Sequence, residues 1–110
     1  MQKNKKKRRR RKTWQINKFI TECHRIAKAK GWWDAERNDG ELIALMHSEL
    51  SEALEAMRNH SNKDNIAEEL ADCCIRIFDY CGAKGIDLEK TLLKKIAYNK
   101  TRPYRHGKKF

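Results

Sequence analysis

Leu42-Ile-Ala-Leu-Met-His-Ser-Glu-Leu-Ser-Glu-Ala-Leu-Glu-Ala-Met57 decides the fold class of this chain. Leu42, Leu45, Met46, Leu50, Ala53, Leu54 and Met57 recur at intervals of three and four, the period of a helix that buries one face. Asn38 stands three residues ahead of Glu41, as in a capping box, and marks the start. The helix is expected to run to about His60. Outward from it the same period returns. Trp14, Ile16, Phe19, Ile20, Cys23, Ile26 and Ala27 form a stripe that Gly31 ends. Ile66, Leu70, Cys73, Cys74, Ile77, Phe78 and Cys81 form another, capped by Asn62 or Asp64 and broken at Gly82 and Gly85. Leu88, Leu92, Leu93 and Ile96 form the last, capped by Asp87, expected to face inward and stopped by Pro103. No β-branched run alternates. The expected fold is all-α, an antiparallel four-helix bundle-like protomer.

With 110 residues there is room for one domain and a small core. Oligomerisation would bury more. The net charge of +11 is unevenly placed, because Lys3, Lys5, Lys6, Lys7, Arg8, Arg9, Arg10, Arg11 and Lys12 stand without an acid. Residues 1–12 therefore read as a self-repelling, disordered basic tail, and residues 13–110 as the helical domain. No stretch is apolar enough to span a bilayer and no apolar segment follows the charged start, so a cytoplasmic location is expected. Cys23, Cys73, Cys74 and Cys81 lack zinc-ligand spacing and read as reduced thiols. Two glycosylation sequons, at Asn59 and Asn99, are chance matches in such a chain.

The chemistry lies in two acidic pairs, Glu49-Leu-Ser-Glu52 and Glu69-Leu-Ala-Asp72. At i, i+3 both acids of a pair share a helix face. A single pair is usually a solvated surface. Here Glu49 falls in register with Leu42, Leu45, Ala53 and Ala56, and Glu69 with Ile66, Leu70 and Cys73, so both border the interior. A short turn makes the two helices neighbours. A buried ionised carboxylate is costly unless a cation or a hydrogen-bond donor neutralises it, and a bound divalent cation would also remove the repulsion between the two pairs. Oxygen-only ligation suits Mg²⁺, with Mn²⁺ possible, and through it a phosphate ester. A di-iron site would want Glu-x-x-His, and His47 has the wrong spacing.

A basic face stands near the other end: Lys95, Asn99 and Arg102 at i, i+4, i+7, followed by Tyr104-Arg-His-Gly-Lys108. Alone it reads equally as a solvated basic face; beside a metal pocket it is expected to clamp phosphate oxygens. Of the adjacent Trp32 and Trp33, at most one fits a core comfortably, and the other could stack on a base.

These residues carry a family resemblance. Glu49-x-x-Glu52 with Glu69-x-x-Asp72, preceded by Leu45-Met-His-Ser48 and followed by Asn99-Lys-Thr-Arg-Pro-Tyr-Arg-His-Gly-Lys108, resembles the signature of the MazG-like all-α nucleoside triphosphate pyrophosphohydrolases over roughly residues 14–110. The resemblance implies a dimer or tetramer whose sites draw on more than one subunit. It implies Mg²⁺-dependent cleavage of (d)NTP to (d)NMP and pyrophosphate, as nucleotide-pool house-cleaning. In that reading Glu49, Glu52, Glu69 and Asp72 hold metal, and Glu52 or Glu49 also serves as base to the attacking water. Lys95, Asn99, Arg102 and Lys108 hold phosphates. Tyr98 with Trp32 or Trp33 flanks the base. The basic tail departs from the family pattern. A second reading makes the chain a nucleic-acid-binding helical module that uses this tail nonspecifically, and a third a plain helical interaction protein. Base and sugar preference and the number of metal ions are not legible.

Overall fold

The computed structural model describes residues 15–59 and 62–110; the basic tail lies outside the described residues. They form four α-helices, α1 (Ile16–Ala29), α2 (Asp39–Arg58), α3 (Lys63–Lys84) and α4 (Leu88–Thr101), then a short 3₁₀ turn at Tyr104–Gly107. The chain is all-helical, with no strand among the described residues. No helix is long and apolar enough to cross a membrane among these residues.

Local chemistry sets the ends. Asn38 Oδ1 accepts from the Gly40 and Glu41 N–H groups and starts α2. Asn62, not Asp64, caps α3 by accepting from Asn65 N–H at 3.0 Å. Asp87 does the same for α4 through Lys90 N–H. These bonds satisfy donors that a first turn leaves without partners. Gly31 closes α1 with φ +88°, while Trp32 N–H reaches back to Ala27 and Gly31 N–H to Lys28. That double bond needs the left-handed conformation glycine adopts freely.

The described residues divide into two compact units, Lys18–Ile86 and residues 15–17 with residues 87–110. In the larger unit α2 and α3 pair antiparallel. Asp39 meets Lys84 and Met46 O accepts from Cys73 Sγ, so positions rise along one helix as they fall along the other, while the long Arg76 side chain reaches Glu49. α1 contacts α3 through Phe19 stacked on Phe78 and His24 on Asp79. The core is small: Ile20, Leu42, Ala53, Cys73 and Cys81.

Gly82 does not break α3 as expected but lies within it. A Cβ there would stand 2.6 Å from His24 Cβ and 3.3 Å from the Ile20 carbonyl oxygen, so glycine is present because α1 crosses at this point. Gly85, with φ +66°, is the true terminator. Leu92, Leu93 and Ile96 of α4, expected inward, remain substantially exposed, as do Leu50, Leu54 and Met57 of α2. An amphipathic stripe specifies an apolar face, not its cover.

In the smaller unit Glu89 Oε1 accepts from Ile16 N–H at 2.9 Å, and Asn17 Nδ2 donates to Asp87 Oδ1 at 2.8 Å. The first turn of α1 is thus tied to the first turn of α4.

Candidate functional site

Glu49 enters the interior because it shares an α2 face with Leu42 and Ala53, both buried. Only 7 % of Glu49 stays accessible. Glu69 and Asp72 project from α3 and are half-buried. One carboxylate oxygen from each of Glu49, Glu69 and Asp72 lies within 4.8 Å of the others. Three acids held so close repel one another unless compensated.

Part of that compensation is Arg76, whose Nε donates to Glu49 Oε1 at 2.7 Å. The remaining oxygens are a different matter. Glu49 Oε2 and Glu69 Oε2 are buried and have no hydrogen-bond partner among the described residues. Orphaned buried acceptors are costly. A hard divalent cation would satisfy both at once, and an all-oxygen donor set suits Mg²⁺ or Mn²⁺. The residues therefore fit such an ion.

Glu52, expected as a fourth ligand, is exposed at the rim of this cluster. Its contact with Glu69, then with Glu49, and the charge of both push its carboxyl above its ordinary value. It stays within reach of Glu49 and Glu69 while facing solvent, a placement that suits proton exchange with water.

A cavity of about 230 Å³ adjoins the cluster, with Glu49 and Asp72 in its wall. Lys30, Arg37 and Arg76 bring positive charge to the same wall. Trp32 lines it and is 60 % exposed. Trp33 instead turns its Nε1–H to Asp79, at 2.9 Å from Oδ1 and 3.1 Å from Oδ2. The Arg37 guanidinium lies 5.7 Å from the Trp32 ring centre and 5.0 Å from that of Trp33, fixing both indoles by cation–π attraction. Of the two tryptophans, Trp32 is the one placed to meet a ligand.

Lys95, Tyr98, Asn99, Arg102 and Lys108 belong to the smaller unit. Lys95 Nζ is 5.1 Å and the Arg102 guanidinium 5.4 Å from the Tyr98 ring centre, so these three side chains gather on one face of α4. The Asn99 carbonyl accepts from Arg102 N–H at 3.2 Å and helps close the helix. Lys108 N–H donates to the Arg105 carbonyl at 2.9 Å. Arg105 and His106 hold positive φ, 55° and 53°, in the turn between.

Arg76 and Asp79 were not singled out by sequence reasoning, nor were Lys30 and Arg37. A signal for the first two existed. Glu69, Asp72, Arg76 and Asp79 follow one helical face at steps of three and four. Lys30 and Arg37 come from a helix end and a loop, where no period announces position.

Cys23, Cys73, Cys74 and Cys81 are free thiols. Burial pushes Cys23, Cys73 and Cys81 up from the ordinary thiol value, which keeps them protonated. Comparisons of the chain with protein-family models, with curated proteins and with solved structures gave no match.

Proposed function

We propose that this chain is a Mg²⁺-dependent nucleoside triphosphate pyrophosphohydrolase that converts (d)NTP to (d)NMP and pyrophosphate. One observation carries the reading. Glu49, Glu69 and Asp72 converge within 4.8 Å, and two of their oxygens are buried without partners among the described residues, beside a cavity that also holds cationic side chains. Opposite charges at one small cavity suit a ligand that needs both, a metal on one side and phosphate oxygens on the other.

Glu49, Glu69 and Asp72 would hold the ion, with Glu52 at the rim. When bound, the ion withdraws charge from phosphoryl oxygens and lowers the pKa of water. Glu52 accepts the proton of a water that attacks the α-phosphorus, and the bond from that phosphorus to the α,β-bridging oxygen breaks. Pyrophosphate leaves with that oxygen. Arg76 holds Glu49 in place through Oε1 and keeps Oε2 available. Lys30 and Arg37 lie where they offset phosphate charge. The roles of Lys95, Asn99, Arg102 and Lys108 on the phosphates and of Tyr98 at the base rest on the family resemblance and are part of the proposal.

The fuller architecture is proposed with it: an antiparallel four-helix bundle-like protomer in a dimer or tetramer. Exposed Leu50, Leu54, Leu92 and Ile96 support an assembly that covers more apolar surface. The test is pyrophosphate release from a panel of nucleoside triphosphates in Mg²⁺. Glu52→Gln and Asp72→Asn should each lose roughly three decades in rate. Full activity in both would end the proposal.

A further inference from the structure

Asp79 is a carboxylate that the proposed hydrolysis does not use. Its side chain is 13 % exposed, and it forms part of the cavity wall. His24 Nδ1 lies 2.8 Å from Oδ1, and Trp33 Nε1–H is shared between Oδ1 and the more distant Oδ2. An ionised carboxylate offers about four acceptor positions and no donor. Two ring nitrogens leave acceptor capacity, mainly at Oδ2. The edge-on contact of His24 with Trp33, centroids 5.5 Å apart, holds the three groups together.

Its place along α3 gives this capacity a meaning. Asp79 stands seven residues beyond Asp72, about 10 Å along the helix axis and on the same face. Arg76 lies between them. Along this wall the chemistry therefore runs from metal-type acids, through a cation, to a half-buried acceptor with spare capacity. Ile26, Ile75 and the exposed Trp32 supply apolar surface around it. A cavity of about 230 Å³ is smaller than those that enclose a whole drug-sized ligand, and suits one flat ring.

We infer that Asp79 is a specificity-determining residue, accepting a hydrogen bond from the exocyclic amino group of a nucleobase and so selecting cytosine or adenine over their keto counterparts. The inference rests on the nucleotide reading above. Cytosine and adenine present an N–H₂ donor where uracil and hypoxanthine present a carbonyl oxygen. A carbonyl set against this half-buried carboxylate leaves two acceptors facing each other with no donor between them.

The experiment is a titration of tryptophan fluorescence in the full-length protein with CMP, UMP, AMP and IMP, none of which carries the scissile anhydride. CMP should bind on the order of 10- to 100-fold more tightly than UMP, and AMP than IMP, the range for one good base contact. Asp79→Asn, which presents both a donor and an acceptor, should bring both ratios close to one. Equal binding of CMP and UMP to the wild type overturns the inference without recourse to any variant. So does absence of binding by all four, or a ratio that Asp79→Asn leaves unchanged, which would make Asp79 a structural anchor for Trp33 and His24. Pyrophosphate release from CTP and UTP separates this result from the function itself. Selective binding with no hydrolysis would sink the enzyme reading alone, and hydrolysis with equal kcat/KM would sink the base selection alone.

Discussion

Gly82→Ala should destabilise the protein, although the substitution favours the helix. Alanine in a helix interior is better than glycine by about 1 kcal/mol. Against this stands the crossing of α1. The new methyl would lie 2.6 Å from His24 Cβ and 3.0 Å from His24 Cγ, where carbon atoms rest at roughly 3.5–4.0 Å. Neither obstacle can swing aside. His24 Cβ is fixed to the backbone, and the Ile20 carbonyl at 3.3 Å is backbone itself. The helices must separate by about 1 Å, and overpacking of this kind costs about 1–3 kcal/mol, occasionally more. The net effect is a loss of up to about 2 kcal/mol, or a fall in Tm of as much as roughly 15 °C in a domain of this size. Urea and thermal melts followed by circular dichroism read it directly. The separation also draws His24 away from Asp79, so Trp33 emission should change in the folded state. Gly85→Ala is the informative contrast, because nothing lies within 4 Å of its Cβ position but φ is +66°. It should cost about 1 kcal/mol through backbone strain alone, with Trp33 emission unaltered. A Gly82→Ala protein more stable than the wild type would refute the close crossing.

Arg76→Ala removes the donor that Glu49 Oε1 accepts from. A buried pair that loses a partner is strongly destabilised, but Arg76 is 33 % exposed, so the loss in metal-free buffer should be about 1–2 kcal/mol. Saturating Mg²⁺ should shrink it, as judged by Tm with and without the ion. Asp87 is held below the ordinary carboxylate value, first by Asn17 and then by Lys90 N–H. A depressed carboxyl contributes its stability above the unfolded value, near pH 3.9, and loses it as pH falls through the folded value. The Tm advantage of wild type over Asp87→Asn should therefore be constant above about pH 5 and vanish on further acidification; an advantage that grows in acid would contradict this. Removing residues 1–12 should leave pyrophosphate release intact while abolishing any salt-sensitive retention on nucleic acid, measured by filter binding.

Much of the helical layout could be read from periodicity and caps. Asn38, Asp87 and the Asn62 alternative stood where the structure places caps, because side-chain capping is a local event. The burial of Glu49 was legible too, since it interrupts an apolar stripe in register. The pair Trp32 and Trp33 divided as geometry demands, one exposed and one half-buried. What failed was tertiary. Gly82 looked like a breaker, because a sequence cannot reveal which glycine another helix crosses. Leu92, Leu93 and Ile96 promised burial that one chain does not provide. Asp79 went unnoticed because its partners, His24 and Trp33, lie far away along the chain.

The most direct test is a melt of the full-length protein in increasing Mg²⁺. The account predicts a saturable rise in stability, about 2.7 kcal/mol at a hundredfold excess over Kd, that Glu69→Gln and Asp72→Asn each abolish. A flat response across millimolar Mg²⁺, or an equal rise in both variants, would show that these carboxylates hold no ion.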